Sequence, residues 1–388
     1  MKIYSVLLIG CLILTVGSCV EPIVPVLNEN DTESVLVVDG KITDEEGPFR
    51  IRLTKSVKVD VLYYLDPVLN ADVRIFDNKG NYFQLYSMDY GWYETENKNL
   101  RGIVGNSYTL SVTTYDGIQY ESSSVLMSEV PDIDSVYFEE VTRTRLENKQ
   151  GIDETWADIL IDTHDPEGNV RYWYYEFEET WEVKMLTTVE VEHNPPGTFS
   201  NKSFESVLIS NEKNVCWVTK PSSSVLIANT ASSPVDELKG FPVQSLGPST
   251  DKLHIRYSIL VKQSAINREL YDFWKQLKDV NEDSGGLYEK LPAQVFGNIT
   301  CCGGTGKALG YFSAMSVKSK RLFIEKTAHH VKTESAYAGC SYYDYPPLPY
   351  VPRSFFGTII GSGMEVYCSS DYCADCRTEG TNVKPDFW

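Results

Sequence analysis

The sequence predicts a mainly β protein. An N-terminal β-sandwich is followed by a larger β-rich domain with one amphipathic helix and a disulfide-stapled, loop-rich C-terminus. Three observations carry this. Apolar and polar residues alternate in short runs through 35–127, the period of half-buried strands. Asp116-Gly117 separates two such runs, a pair suited to the positive φ of a tight hairpin. Only one window, near 265–280, repeats apolar residues at three- and four-residue spacing. With 388 residues and about 150 per domain, the chain has room for two cores.

The first nineteen residues, MKIYSVLLIGCLILTVGSC, have the order of an export leader. Lys2 precedes an apolar run from Val6 to Val16, and Gly17 and Ser18 follow it. The run is shorter than the roughly 20 residues of a membrane span. A cysteine directly after the small residues has the form of a bacterial lipobox. Removal of 1–18 and acylation of Cys19, palmitate included, are therefore expected. An ordinary leader with an incidental cysteine is the alternative. Residues 19–34, with Pro22 and Pro25 among polar and acidic residues, form the expected lipidated tether.

Charge narrows the partners. The formal net charge is −19, from 35 basic and 54 acidic side chains. Nucleic acid, whose phosphates recruit a basic surface, is excluded as a partner. A body lying flat on anionic lipid is disfavoured for the same reason. Membrane contact is expected through the lipid alone.

Along 35–130, Val35–Val38 begins the strands. Phe49, Ile51 and Leu53 alternate with Arg50 and Arg52, and Val73 and Ile75 with Asp72 and Arg74. Tyr108, Leu110 and Val112 alternate with Thr109, Ser111 and Thr113. Ala71, Val73, Ile75, Gly80, Gly91, Tyr93, Gly105, Tyr108, Leu110, Asp116, Gly117 and Tyr120 make this segment resemble the carboxypeptidase-regulatory or transthyretin-like sandwich. That resemblance implies a scaffold.

Val130-Pro131-Asp132-Ile133-Asp134 reads as a hinge into a domain over 131–388. Residues 139–154 hold almost no apolar side chains and are expected to be a loop. Val170–Val183 is a long strand with Trp173, Tyr175, Phe177, Trp181 and Val183 on one face and Tyr172, Tyr174, Glu176 and Glu178 on the other. Residues 192–205 and 220–236 are expected loops. Leu253, Ile255, Tyr257, Ile259 and Val261 mark another strand. In the helix Leu270, Phe273, Trp274, Leu277 and Val280 share a face, with Ser264 as the expected N-cap. Such a helix would plug one end or side of the second domain. The remainder is expected to be loop-rich, with a strand near Arg321–Glu325.

Of nine cysteines, Cys11 lies in the leader and Cys19 is the lipid site. Cys216, Cys301, Cys302, Cys340, Cys368, Cys373 and Cys376 remain. An exported chain oxidises such thiols, and an odd number leaves at least one free. Cys373 and Cys376 also have the spacing of a redox dithiol or half a zinc site. No second Cys-x-x-Cys completes a zinc site, so structural bridges are the reading, with the pairing open. Asp162, Asp165, Glu167 and Asn169 are either a calcium cluster or a plain turn, and the turn is the simpler reading. The five histidines show no metal-ligand pairing. Tyr172, Trp173, Tyr174 and Trp181 are either a sugar platform or core. Tyr342, Tyr343, Tyr345 and Tyr350 are candidate partner contacts. No Gly-x-Ser-x-Gly occurs, and Gly303-Gly304-Thr305-Gly306-Lys307 lacks the strand and helix of a phosphate loop. No catalytic residue, metal or cofactor is assigned.

Several short motifs occur in one order: Val130-Pro131-x-Ile133-Asp134-Ser135, Tyr257-Ser258-x-x-Val261-x-Gln263, Tyr271-x-Phe273-Trp274, Gly297-Asn298-Ile299, Gly310-Tyr311-Phe312, and Cys373-x-x-Cys376 before Pro385-Asp386-Phe387-Trp388. With the lipobox, they make the chain resemble a Bacteroidota outer-membrane lipoprotein family, domain-of-unknown-function family 4249. The resemblance implies an outer-membrane, lipid-anchored, cell-surface protein. It further implies a non-enzymatic accessory to a TonB-dependent outer-membrane barrel of the SusC-like kind, with its lid lipoprotein as a further partner. A free-standing binder of glycan or protein and a secreted hydrolase are the alternatives.

Overall fold

The computed structural model describes residues 35–56, 66–185, 188–192, 206–209, 214–283, 295–304, 306–340, 343–344, 354–359, 366–368, 373 and 375–388. The expected leader, Cys19 and the tether lie outside the described residues. From the N-terminus come β1 (Leu36–Thr43), β2 (Arg50–Lys55), β3 (Asp66–Pro67), β4 (Asp72–Asp77), β5 (Tyr82–Ser87), β6 (Trp92–Thr95), β7 (Ser107–Thr113), β8 (Gln119–Ser122) and β9 (Val125–Leu126). Next are β10 (Ile133–Glu147), β11 (Gln150–His164), β12 (Tyr172–Lys184), β13 (Thr188–Glu192), β14 (Ser206–Ile209), β15 (Val215–Pro221), β16 (Leu226–Asn229), β17 (Glu237–Leu246) and β18 (Arg256–Ala265). Helix α1 (Arg268–Asp283) leads to β19 (Ile299–Gly303), β20 (Ala308–Met315), β21 (Val317–Glu325), β22 (Tyr343–Asp344), β23 (Ser354–Ile359) and β24 (Val366–Cys368).

The mainly β fold holds, and the first body is one curled sheet. Its strands run β19-β8-β7-β4-β5-β6-β2-β1-β20, with β3 on β2 and β9 on β7. The two ends of this path meet. The Asn298 amide donates to the Phe312 carbonyl and accepts from the Phe312 N–H, both at 2.9 Å. Inside lie Ile42, Ile51, Leu53, Ile75, Tyr93, Tyr108, Leu110 and Phe312. The alternation seen in sequence is the inward set of these strands.

Two strands of this sheet, β19 and β20, come from the stretch expected to be loops of the following domain. The reason is the edges. Strands from 35–127 alone leave the outer edges of β1 and β8 open, and β20 and β19 cover them. β20 joins β1 in parallel, from Leu36↔Ala308 to Thr43↔Met315. Gly310 makes this possible. Its φ is +94°, and a Cβ there would stand 1.9 Å from the Val38 carbonyl oxygen.

The second body packs the sheet β10-β11-β17 with the sheet β15-β12-β18-β21, which carries β16 on β12. Trp173, Tyr175, Phe177, Trp181 and Val183 are buried, as the alternation requires, with Ile159, Ile161, Tyr257, Ile259 and Val261. Tyr175 stacks on Phe241 of β17 at 5.1 Å, tying the two sheets. A further sheet, β14-β13-β23-β24-β22, is described by its backbone.

Four expectations are corrected. Residues 139–154 are not a loop. They are the outer half of the β10–β11 hairpin, turned by Asn148 and Lys149 at φ +50° and +66°. Both faces of this ribbon meet water, so no apolar alternation marks it. Cross-strand pairs hold it instead: Arg143–Asp158 at 2.7 Å, Arg145–Glu154 at 3.1 Å and Thr144–Asp153 at 2.7 Å. The 220–236 stretch contains β16. Strand β18 begins at Arg256, so Leu253 and His254 precede it in a turn. Ser264 lies inside β18, and Asn267 caps the helix by accepting from the Leu270 N–H at 2.8 Å.

The C-terminal tail is fastened to the second body. Disulfides join Cys216 to Cys376 and Cys340 to Cys373. Trp217 and Thr381 exchange backbone hydrogen bonds at 2.8 and 3.0 Å. The Arg256 guanidinium lies over the rings of Phe323 and Trp388.

Candidate functional site

The scattered sequence motifs meet in space. Gln263, fully buried, donates to the Pro131 carbonyl at 3.0 Å and to Thr163 Oγ1 at 3.1 Å, joining two motifs at the hinge. Asn298 joins Phe312 as described, and Phe273 packs on Tyr311 at 5.3 Å. The helix packs on one side of the second body, with Tyr271 against Tyr172 and Asn229, and also reaches the first. It lies between both bodies, with Leu270 and Phe273 against Tyr311 and Met315 of β20, and Tyr174 of β12 alongside.

A trough runs beneath this helix along the outward face of the β1–β20 pair. Parallel register places Val37 beside Leu309, Asp39 beside Tyr311, Lys41 beside Ser313 and Thr43 beside Met315. These alternate with the buried Leu36, Val38, Ile42, Phe312 and Ala314. The strand period thus puts the core on one side and the trough floor on the other. One wall comes from the second body: Tyr174 and Glu176 of β12 and Lys262 of β18. The helix contributes Trp274, stacked on Tyr174 at 5.8 Å. Trp92 and Arg50 close the far end.

The polar half of the trough encloses about 520 Å3. Lys41 bridges the two bodies to Glu176 with nitrogen–oxygen distances of 2.5 and 2.6 Å. Lys262 does the same with Glu45 at 2.8 Å. Tyr174 donates to Glu176 at 3.3 Å. Burial, then the neighbouring Glu176 carboxylate, pushes the Tyr174 phenol far above its usual range. It stays a neutral donor. The Asp39 carboxyl receives no hydrogen bond from any described residue. Its side chain reaches solvent, and partial desolvation by the nearby walls raises its carboxyl pKa, while Lys41 and Arg52 offset part of that rise and Glu176 adds to it.

A second hollow of about 400 Å3 continues the trough toward the start of β1 and β20. Val37, Leu309, Phe273, Leu277 and Val295 line it. Asp39, Tyr311 and Trp274 belong to both hollows. Such a concave site, mainly apolar with a few converging polar groups, has the size and composition of a small-molecule site.

Apart from Tyr174, the candidate site residues singled out in sequence stand elsewhere. Cys216, Cys340, Cys373 and Cys376 form the two bridges. Cys301 and Cys302 are free thiols on β19. Cys368 ends β24. Tyr343 begins β22, and Tyr342, Tyr345 and Tyr350 lie outside the described residues. Trp173 and Trp181 are core, whereas Tyr174 faces the trough. Asp165 is a turn residue. Burial opposes its charge, but the N–H groups of Val170, Glu167 and Asn169 outweigh this and hold its carboxyl below the usual range. No group of three metal-binding side chains occurs among the described residues. Nor is any described helix long and apolar enough to cross a membrane.

Sequence reading missed Asp39, Lys41, Glu45, Lys262, Trp274 and Tyr311 as a group. The signal present was the outward half of each alternation, polar at Asp39 and Lys41 and aromatic at Tyr311. No curated protein matches the chain. A family described as Domain of unknown function (DUF4249) matches it over residues 20–321, a span that includes the whole trough. The chain belongs to that family.

Proposed function

We propose that this protein is a non-enzymatic binding lipoprotein, anchored at Cys19 in the outer membrane and exposed at the cell surface. It works as an accessory subunit beside a TonB-dependent barrel, and its ligand lies in the trough between the two β bodies. The trough is the observation that carries the reading. It is the place where both bodies and the helix converge with residues from three of the sequence motifs, Lys262, Trp274 and Tyr311, and its carboxylates Glu176 and Glu45 are held by Lys41 and Lys262. Groups so held suit recognition, because they are preorganised before a ligand arrives. The lipid confines the body to two dimensions and raises its effective concentration near the barrel.

The test is affinity purification of tagged protein from its native outer membrane in mild detergent, with mass spectrometry. A stoichiometric TonB-dependent barrel is expected. A lone lipoprotein sinks the accessory role and leaves a free-standing surface binder. One observation favours a hydrolase as second reading: Asp39, its carboxyl pKa raised by partial desolvation, is close enough to Glu176 to feel its charge. A screen over polysaccharides and peptides that stays blank removes it.

A further inference from the structure

We infer that the trough takes one amphipathic ligand, with a hydroxyl-rich head in its polar half and an apolar tail in the hollow beneath the helix. The inference rests on the binding reading above and adds the class of ligand. Its first ground is continuity. The two hollows follow each other along one parallel strand pair and share Asp39, Tyr311 and Trp274. Polarity changes at a single rung. Val37 and Leu309 come before Asp39 and Tyr311, and Lys41 and Ser313 come after. A ligand spanning that rung meets apolar side chains on one side and charged ones on the other.

The head follows from how the charges are already used. Lys41 is paired with Glu176, Lys262 with Glu45, and Arg50 with Glu94. An anionic head would have to break a pair, and a cationic head finds only Asp39, which the charges of Lys41 and Arg52 already face. Each pair still has spare N–H protons, ammonium on Lys41 and Lys262 and guanidinium on Arg50, and carboxylate lone pairs. Hydroxyl groups, which donate and accept at once, use both. Asp39, without a donor among the described residues, accepts one hydroxyl more. Trp92 and Trp274 offer apolar ring faces beside these groups.

The tail is set by Val37, Leu309, Phe273, Leu277 and Val295. None of them carries a polar side-chain atom, so affinity there follows buried methylenes, about fourfold each.

The experiment titrates the purified mature protein with butyl, hexyl and octyl β-glucoside below their micelle concentrations, and with glucose, by calorimetry. Affinity is expected to rise about fourfold per methylene, and glucose alone to bind at least tenfold more weakly than the octyl glucoside. Octyltrimethylammonium and octyl sulfate are the ionic controls and are expected to bind more weakly than the glucoside. Asp39→Asn is expected to lower glucoside affinity about tenfold and to leave the chain-length slope unchanged. Val37→Trp, which narrows the apolar hollow, is expected to flatten that slope. A flat slope in the unmodified protein overturns the tail. Tighter binding of either ionic amphiphile overturns the head. No binding by any probe overturns the inference, while co-purification of a barrel, read separately, still decides the accessory role.

Discussion

Removing the two disulfides one at a time tests how the tail is held. Cys216→Ala with Cys376→Ala opens the outer bridge, and Cys340→Ala with Cys373→Ala opens the inner one. The bonds differ in the loop each closes, 160 and 33 residues in sequence separation. With the inner bond intact, the outer loop shortens to about 127 free residues. The chain-entropy relation then gives about 4.9 kcal/mol for the outer bond and about 3.7 kcal/mol for the inner. The difference, about 1.2 kcal/mol, depends only on the logarithm of the loop ratio. Packing acts in the same direction, because Cys216 and Cys376 are fully buried whereas Cys340 is only partly so. The assay is urea unfolding under non-reducing conditions, followed by tryptophan fluorescence, since Trp217 sits beside the outer bridge and pairs with Thr381. The outer variant is expected to lose more stability than the inner by at least about 1 kcal/mol. Equal losses, or a larger loss for the inner variant, would refute the reasoning.

Glu179 is buried and accepts from Tyr257 Oη at 2.6 Å, Lys252 Nζ at 2.7 Å and Gln244 at 3.1 Å. Glu179→Ala strands a buried phenol and a half-buried ammonium, so a loss of about 3–5 kcal/mol is expected in urea unfolding; a loss under about 1 kcal/mol contradicts the network. Asp39 has its carboxyl pKa raised by burial in the folded state. Its contribution to stability is therefore present below the ordinary carboxylate pKa and is lost as pH rises through the raised value. Asp39→Asn is thus expected to be more stable than the parent at pH 7 and to lose that advantage in acid, measured by thermal unfolding at both pH values; an advantage independent of pH contradicts the shift. A fragment covering 35–130 lacks β19 and β20 and leaves β1 and β8 as open edges. It is expected to aggregate or to stay unfolded, and a monomeric fragment with cooperative unfolding would overturn the role given to those strands.

Much of the fold was legible because it is local. Period-two runs announced β4, β7 and β12, and the face of β12 carrying Trp173, Tyr175 and Phe177 is the core face. The helix announced itself by spacing. What escaped depends on distant partners. β20 carries glycine at 310, and its partner β1 lies about 270 residues earlier in the chain, so no local pattern specifies the pairing. The outer ribbon of β10 and β11 escaped because hydration of both faces removes the contrast that periodicity needs. The candidate site was hidden for a related reason. Its charged pairs, Lys41 with Glu176 and Lys262 with Glu45, join residues 135 and 217 positions apart. Asp39 is solvent-facing in the structure as well, and only the facing wall with Glu176 sets it apart.

The chain's path explains why a site should arise there. It crosses between the bodies three times: after β9, through the helix, and at Ser316 between β20 and β21. The third crossing is short and buried. Ser316 is 2% exposed and donates to the Ser128 carbonyl at 2.6 Å, so it is tied to the first crossing as well. The trough floor, β20, is thus one residue away from β21, which pairs with β18, and β18 supplies Lys262 to the trough wall. Floor and wall are neighbours along the chain as well as across the gap. The two bodies are interleaved along the chain: the first is completed by β19 and β20 from beyond the helix, and the trough takes Tyr174, Glu176 and Lys262 from the second. Two independently folding domains joined by a linker would leave their relative placement to a modest interface. Here three crossings and the Lys41–Glu176 and Lys262–Glu45 pairs set it, and such convergence holds polar groups in place before a ligand binds.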